Sequence, residues 1–134
     1  MKSAPFTYSR AEHLLQALEL LAENGDEARL IAGGQSLVPM MALRLVRPTM
    51  LIDIDRLAEL KTVRYAPRTI STGAGVRQRT IDETPLGEVV PLLRAAVRWV
   101  GHIQTRNRGT IGGSIAHADP SAELPLAALV LDAK

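Results

Sequence analysis

Residues 109–125 read GTIGGSIAHADPSAELP, a glycine doublet between the hydroxyls of Thr110 and Ser114, followed by the carboxylate of Asp119. Gly112 and Gly113 carry no Cβ, so they are free to take positive φ and bring backbone N–H groups close to a ligand, as an anion-binding nest does. Thr110 and Ser114 flank Ile111 and the doublet with hydroxyls. An earlier stretch, Ala32-Gly33-Gly34-Gln35-Ser36-Leu37, repeats the chemistry after an apolar strand candidate. Either doublet alone reads as a tight turn. Together, each with a serine within two positions and each at a helix start, they suit a diphosphate ester.

Outward from these stretches the chain alternates helix and strand. Ala4–Tyr8 reads as a strand, and Ser9 with Glu12 three residues later has the spacing of a capping box. The helix it opens runs to Asn24 with Leu14, Leu15, Ala17, Leu18, Leu21 and Ala22 as its apolar stripe, and Gly25 stops it. Strands are expected at Ala28–Ala32 and Met50–Ile54, with a helix over Leu37–Leu45 between them. A hairpin is expected from Val63–Tyr65 and Thr69–Thr72, turning at Ala66-Pro67. Leu86–Val100 reads as one helix with Arg94 and Arg98 four apart, His102–Thr105 as a strand, and Ala122–Leu131 as a last helix after the Asp119-Pro120 break. The GAGVRQRT segment from Gly73 fails as a dinucleotide fingerprint, because Gln78 stands where the third glycine belongs.

Composition bounds the chemistry. A chain of 134 residues buries roughly two-thirds of its unfolded surface and needs no staple. The absence of cysteine removes disulfides and cysteinyl zinc or iron–sulfur ligation, and fits a reducing cytoplasm. No apolar run approaches the roughly eighteen residues of a membrane span, so a soluble, cytoplasmic protein is expected. The net charge is only +2 and the aromatics are Phe6, Tyr8, Tyr65 and Trp99, which argues against nucleic-acid binding through stacking platforms.

The remaining polar residues give weaker signals. Ser114, His117 and Asp119 lie too close on one loop to align as nucleophile, base and orienter, and no G-x-S-x-G elbow exists. His13, His102 and His117 lack metal-ligand spacing, so no metal site is expected. Asp119, before Pro120, reads as an acceptor for ligand hydroxyls, with an Asx turn or a helix cap close behind as the alternative. Arg106 and Arg108 are within the chemistry of a phosphate contact but read by default as solvated surface, and Asn107 is equally ambiguous.

AGGQSLVPMMALRLVRPTMLIDI and RNRGTIGGSIAHADPSAELP resemble the first and second flavin loops of the FAD-binding medium subunit of molybdenum hydroxylases, the group of aerobic carbon monoxide dehydrogenase and xanthine dehydrogenase. The resemblance covers essentially the whole chain, the N-terminal strand and helix and GAGVRQRT included. It implies an α+β, two-lobed FAD-binding fold of the vanillyl-alcohol oxidase type, with residues 1–60 in the first lobe, 61–134 in the second, and the second lobe truncated. It implies FAD as cofactor, held by Ala32, Gly33, Gly34, Gln35, Ser36, Leu37, Thr110, Ile111, Gly112, Gly113, Ser114 and Asp119. It also implies a molybdopterin-binding large subunit and an iron–sulfur small subunit as partners, with electrons passing through FAD to an external acceptor. The alternative is a non-enzymatic nucleotide- or anion-binding module; an RNA-binding protein using the arginines is the weakest reading.

Overall fold

The computed structural model describes residues 2–134, which fall into two compact units, one running through Glu59 and one from Leu60 to Lys134. The first is built on a parallel sheet. Strands β1 (Thr7–Arg10), β2 (Ala28–Ile31) and β3 (Met50–Asp53) lie in the order β1-β3-β2. Parallel strands cannot be joined by a hairpin, so helices carry the connections: α1 (Leu14–Asn24) after β1 and α2 (Leu37–Ala42) after β2. β3 is central, and its successive residues Leu51 and Ile52, which point to opposite faces, are both buried. The register levels Arg10, Asp53 and Ile31 at the carboxyl end of the sheet. The first glycine stretch leaves the sheet there.

Helix α1 starts later than the capping-box reading placed it. Ser9 is taken into β1, and His13 becomes the N-cap, its Nδ1 accepting from Gln16 N–H at 3.1 Å. Gly25 ends the helix at φ 51° as expected. Of the expected apolar stripe Ala17 is buried and Leu21 half-buried, while Leu14, Leu15 and Leu18 stay exposed.

The second unit begins with an antiparallel pair, β4 (Val63–Ala66) and β5 (Thr69–Thr72). It then turns helical: α3 (Thr80–Glu83), α4 (Pro85–Val89), α5 (Pro91–Val97), α6 (Ile103–Arg108), α7 (Ile111–His117) and α8 (Glu123–Val130). Val76, Ile81, Leu86, Val97, Ile111 and Leu124 form its core. The single helix expected over Leu86–Val100 is two, because Pro91 has no N–H to continue the ladder and forces Val90 out of the helical region, to φ −122° and ψ 79°. The strand expected at His102–Thr105 is the start of α6. Its β-branched residues are overridden by the next turn, where Arg106 Nη1 donates to the carbonyls of Val100 and Gly101 at 3.0 and 3.1 Å. Arg94 and Arg98 both face Asp82 Oδ1, at 3.1 and 3.6 Å.

Candidate functional site

In the first unit the glycine stretch forms a loop between β2 and α2. Gly34 takes φ +71°, and a Cβ there would also stand 3.1 Å from Val38 Cγ2. Only glycine fits both the angle and the space. The carbonyls of Gly34 and Ser36 already accept from the N–H groups of Val38 and Met40, at 3.0 and 3.2 Å, which starts α2. The N–H groups of residues 33 to 37, by contrast, donate to no acceptor among the described residues. Ser36 is the N-cap residue, yet its exposed hydroxyl makes no capping bond, which leaves it for another acceptor or donor. Gln35 Nε2 reaches back to Gly33 O at 3.4 Å, and Ala32 and Leu37 are half-buried at the ends of the loop. A run of unpaired donors around one left-handed glycine is what an anion nest requires.

The second doublet is built differently, and the expected positive φ is not found. Gly112 and Gly113 lie in the first turn of α7 with helical backbone. Their N–H groups are occupied: Gly112 donates to Ala74 O at 3.0 Å and Gly113 to Thr110 Oγ1, also at 3.0 Å. Ile111 and Ser114 donate to Val76 O and Thr110 O. The doublet is glycine for want of room, since a Cβ on Gly112 would meet Ala74 Cα and Cβ at 2.5 Å, and one on Gly113 would meet Thr110 Oγ1 at 2.7 Å. What this stretch still offers outward is the exposed backbone surface at Gly113 and the half-exposed Ser114.

The partner of this stretch is the segment that failed as a dinucleotide fingerprint. Arg77 and Thr110 form an antiparallel bridge, Gln78 N–H donates to Gly109 O at 2.9 Å, and Arg79 N–H donates to Arg106 O at 3.1 Å. Gln78 and Thr110 are buried, and a Cβ on Gly109 would press on Gln78 Oε1 at 2.6 Å. Sequence reasoning missed this clamp. Its signal was the pair Gly73 and Gly75, each lying under the backbone carbonyl of Leu60. Asp119 adopts the Asx turn: its Oδ1 accepts from Ser121 N–H at 2.8 Å and from Ser121 Oγ at 2.7 Å. Those bonds, the hydroxyl's first, hold its carboxyl below the ordinary range. His117 is exposed at the end of α7, followed by Ala118 at φ 53°.

A further polar cluster stands at the carboxyl edge of the parallel sheet. Asp53 Oδ2 accepts from the Tyr8 hydroxyl and faces Arg10 Nε at 3.6 Å, while Oδ1 accepts from Asp55 N–H at 2.7 Å. Partial burial pushes the Asp53 carboxyl up, but the Tyr8 and Asp55 hydrogen bonds and the Arg10 charge outweigh it, and the net direction is downward. Among the described residues no group of three or more His, Cys, Asp or Glu is placed to hold a metal, and no helix is long and apolar enough to cross a membrane.

Comparison with known proteins follows the same lines. The chain is 47% identical over 134 residues to the 6-hydroxypseudooxynicotine dehydrogenase complex subunit alpha of Paenarthrobacter nicotinovorans, a match spanning 99% of this chain and 45% of that protein. It is 39% identical over 129 residues to the carbon monoxide dehydrogenase medium chain of Hydrogenophaga pseudoflava, across 96% of this chain and 45% of the relative. Its fold matches a solved structure of carbon monoxide dehydrogenase from the same organism with a TM-score of 0.89 at 40% identity, covering 93% of this chain and 44% of that one. Quinoline 2-oxidoreductase from Pseudomonas putida 86 matches at 0.88 and 40% identity, with the same coverage of both chains. The chain thus spans less than half the length of these relatives. The family described as the FAD binding domain in molybdopterin dehydrogenase matches residues 4–134, and with the unpaired donors at 33 to 37 in place, the chain belongs to that family of FAD-binding oxidoreductase domains.

Proposed function

We propose that this chain supplies the FAD-binding portion of a molybdopterin-dependent dehydrogenase of the carbon monoxide and xanthine dehydrogenase type, with the two-lobed fold of the vanillyl-alcohol oxidase class. Electrons reach the flavin from iron–sulfur clusters of a small subunit, which receives them from a molybdopterin-binding large subunit, and leave to an external acceptor. The observation that carries the reading is the run of N–H groups at 33 to 37, without acceptors among the described residues, around left-handed Gly34, a donor set suited to the FAD diphosphate. Within it the exposed Ser36 hydroxyl adds a hydrogen bond, and Ala32 and Leu37 close the ends. At the second stretch Ser114 and the open face of Gly113 meet the cofactor, Thr110, Ile111 and Gly112 set their position from behind, and the free Oδ2 of Asp119 accepts from a cofactor hydroxyl. Bound FAD supplies the electron-exchange chemistry; the chain binds and orients it.

The test is flavin uptake by the purified chain, read as bound-flavin absorbance and quenched fluorescence. Gly34→Val should abolish uptake while leaving circular dichroism near that of the parent, because a β-branched residue at positive φ deforms the loop and little else. Ser36→Ala should weaken uptake only modestly, by about 1 kcal/mol, the size of one neutral hydrogen bond. Inorganic pyrophosphate binding without flavin binding would favour the bare anion-binding module instead.

A further inference from the structure

Asp53 ends the central strand level with Ile31, the residue from which the nest loop departs. Backbone bonds tie this edge on both sides: Ile54 N–H donates to Ile31 O, and Ala11 N–H donates to Asp53 O, each at 3.0 Å. Both carboxylate oxygens of Asp53 are engaged, one by Tyr8 and Arg10, the other by the turn at Asp55. Arg10 in turn donates from Nη2 to the Tyr8 hydroxyl at 3.3 Å and stands 5.9 Å from the centre of its ring. The pleat places Tyr8, Arg10, Leu51, Asp53 and Ile31 on one face of the sheet. On that face the Ile31 side chain lies beneath the loop, its Cδ1 3.4 Å from where a Gly34 Cβ would stand.

Tyr8, Arg10 and Asp53 come from two strands and converge beside the base of a loop whose own donors have no partners among the described residues. A loop of that kind is ordered from its ends. We propose that Asp53 is a positioning residue: by fixing the end of β3 and holding Tyr8 and Arg10 over the sheet edge, it sets Ile31 and so the direction of the N–H donors of residues 33 to 37. The link to affinity rests on the flavin reading above. A surface ion pair with no such role would contribute little and would act on stability alone.

The experiment uses the full chain with Asp53→Asn, Tyr8→Phe and, as control, Thr49→Ala. Thr49 precedes the opposite end of the same strand and donates to Glu27 Oε2 at 2.9 Å, so its loss destabilises the unit without touching the sheet edge. Backbone amide order parameters of Gly33 and Gly34 are measured by NMR without ligand, and FAD is then titrated. Asp53→Asn and Tyr8→Phe should lower the order of both glycines and weaken FAD binding about tenfold, the scale of one charge-assisted hydrogen bond. Thr49→Ala should change neither, whatever it does to the melting temperature. Unchanged glycines in Asp53→Asn, or equal loosening by Thr49→Ala, would overturn the proposal. A parent chain that takes no FAD overturns the flavin reading, while the order parameters still decide the positioning role.

Discussion

A methyl group at position 112 would have to share space with Ala74, whose Cα and Cβ both lie 2.5 Å from the site of the added carbon. Gly112→Ala should therefore lower stability by about 1–3 kcal/mol, the usual cost of overpacking, read as a fall in melting temperature. Gly113→Ala should cost less, because the atom it meets is the Thr110 hydroxyl, which is lost mainly as a cap. The need for glycine was legible in the sequence at both positions. Its reason was not, since close packing and positive φ leave the same letters and differ only in what lies opposite. Asp53 carries a prediction of another kind. Its folded carboxyl lies below its ordinary range, so the unfolded chain takes up its proton first as pH falls. Its contribution is therefore fully present above the unfolded value and is lost as pH drops through the folded one. Urea midpoints of the parent and of Asp53→Asn should differ most near neutral pH and converge in acid.

At the scale of elements, most errors of the sequence reading fell where a local signal met a tertiary one. Gly25 and Pro91 acted through their own backbones, but only the glycine stop was read; the proline was absorbed into an unbroken periodic stripe. Pro91→Ala should let α4 and α5 join through Val90, raising helix content by circular dichroism while straining the packing of Leu86 and Val97, both fully buried. A net loss of stability with a gain in helix signal is the expected result. Strands β2 and β3 and the hairpin were recovered to within a residue or so, because alternation and turn chemistry are properties of neighbouring residues. Helix α6 was not, because the Arg106 bonds to Val100 and Gly101 are not visible in the His102–Thr105 letters.

At the scale of the whole molecule, the apolar character of α8 exceeds what its neighbours cover. Leu124 and Ala127 are buried, whereas Leu126, Leu129 and Val130 are 62%, 78% and 67% exposed. A helix apolar all round is ordinarily buried all round, and such a patch favours association. The chain should show concentration-dependent light scattering, and Leu129→Glu should suppress it with little change in melting temperature; a monomeric parent at all concentrations would remove this reading. The family and its cofactor were legible from two long motifs, while the division of labour between them was not: one loop keeps its donors open and the other closes them against residues 74–79. That closure makes heritable units of the two stretches unequal. The loop at 33 to 37 takes its turn from its own left-handed Gly34 and its footing from the sheet edge beneath it, where Ile31 is paired with Asp53. The stretch at 109 to 114 has its form only in register with a segment some thirty residues upstream, so transplanting it alone into another scaffold would carry the letters and leave the shape behind.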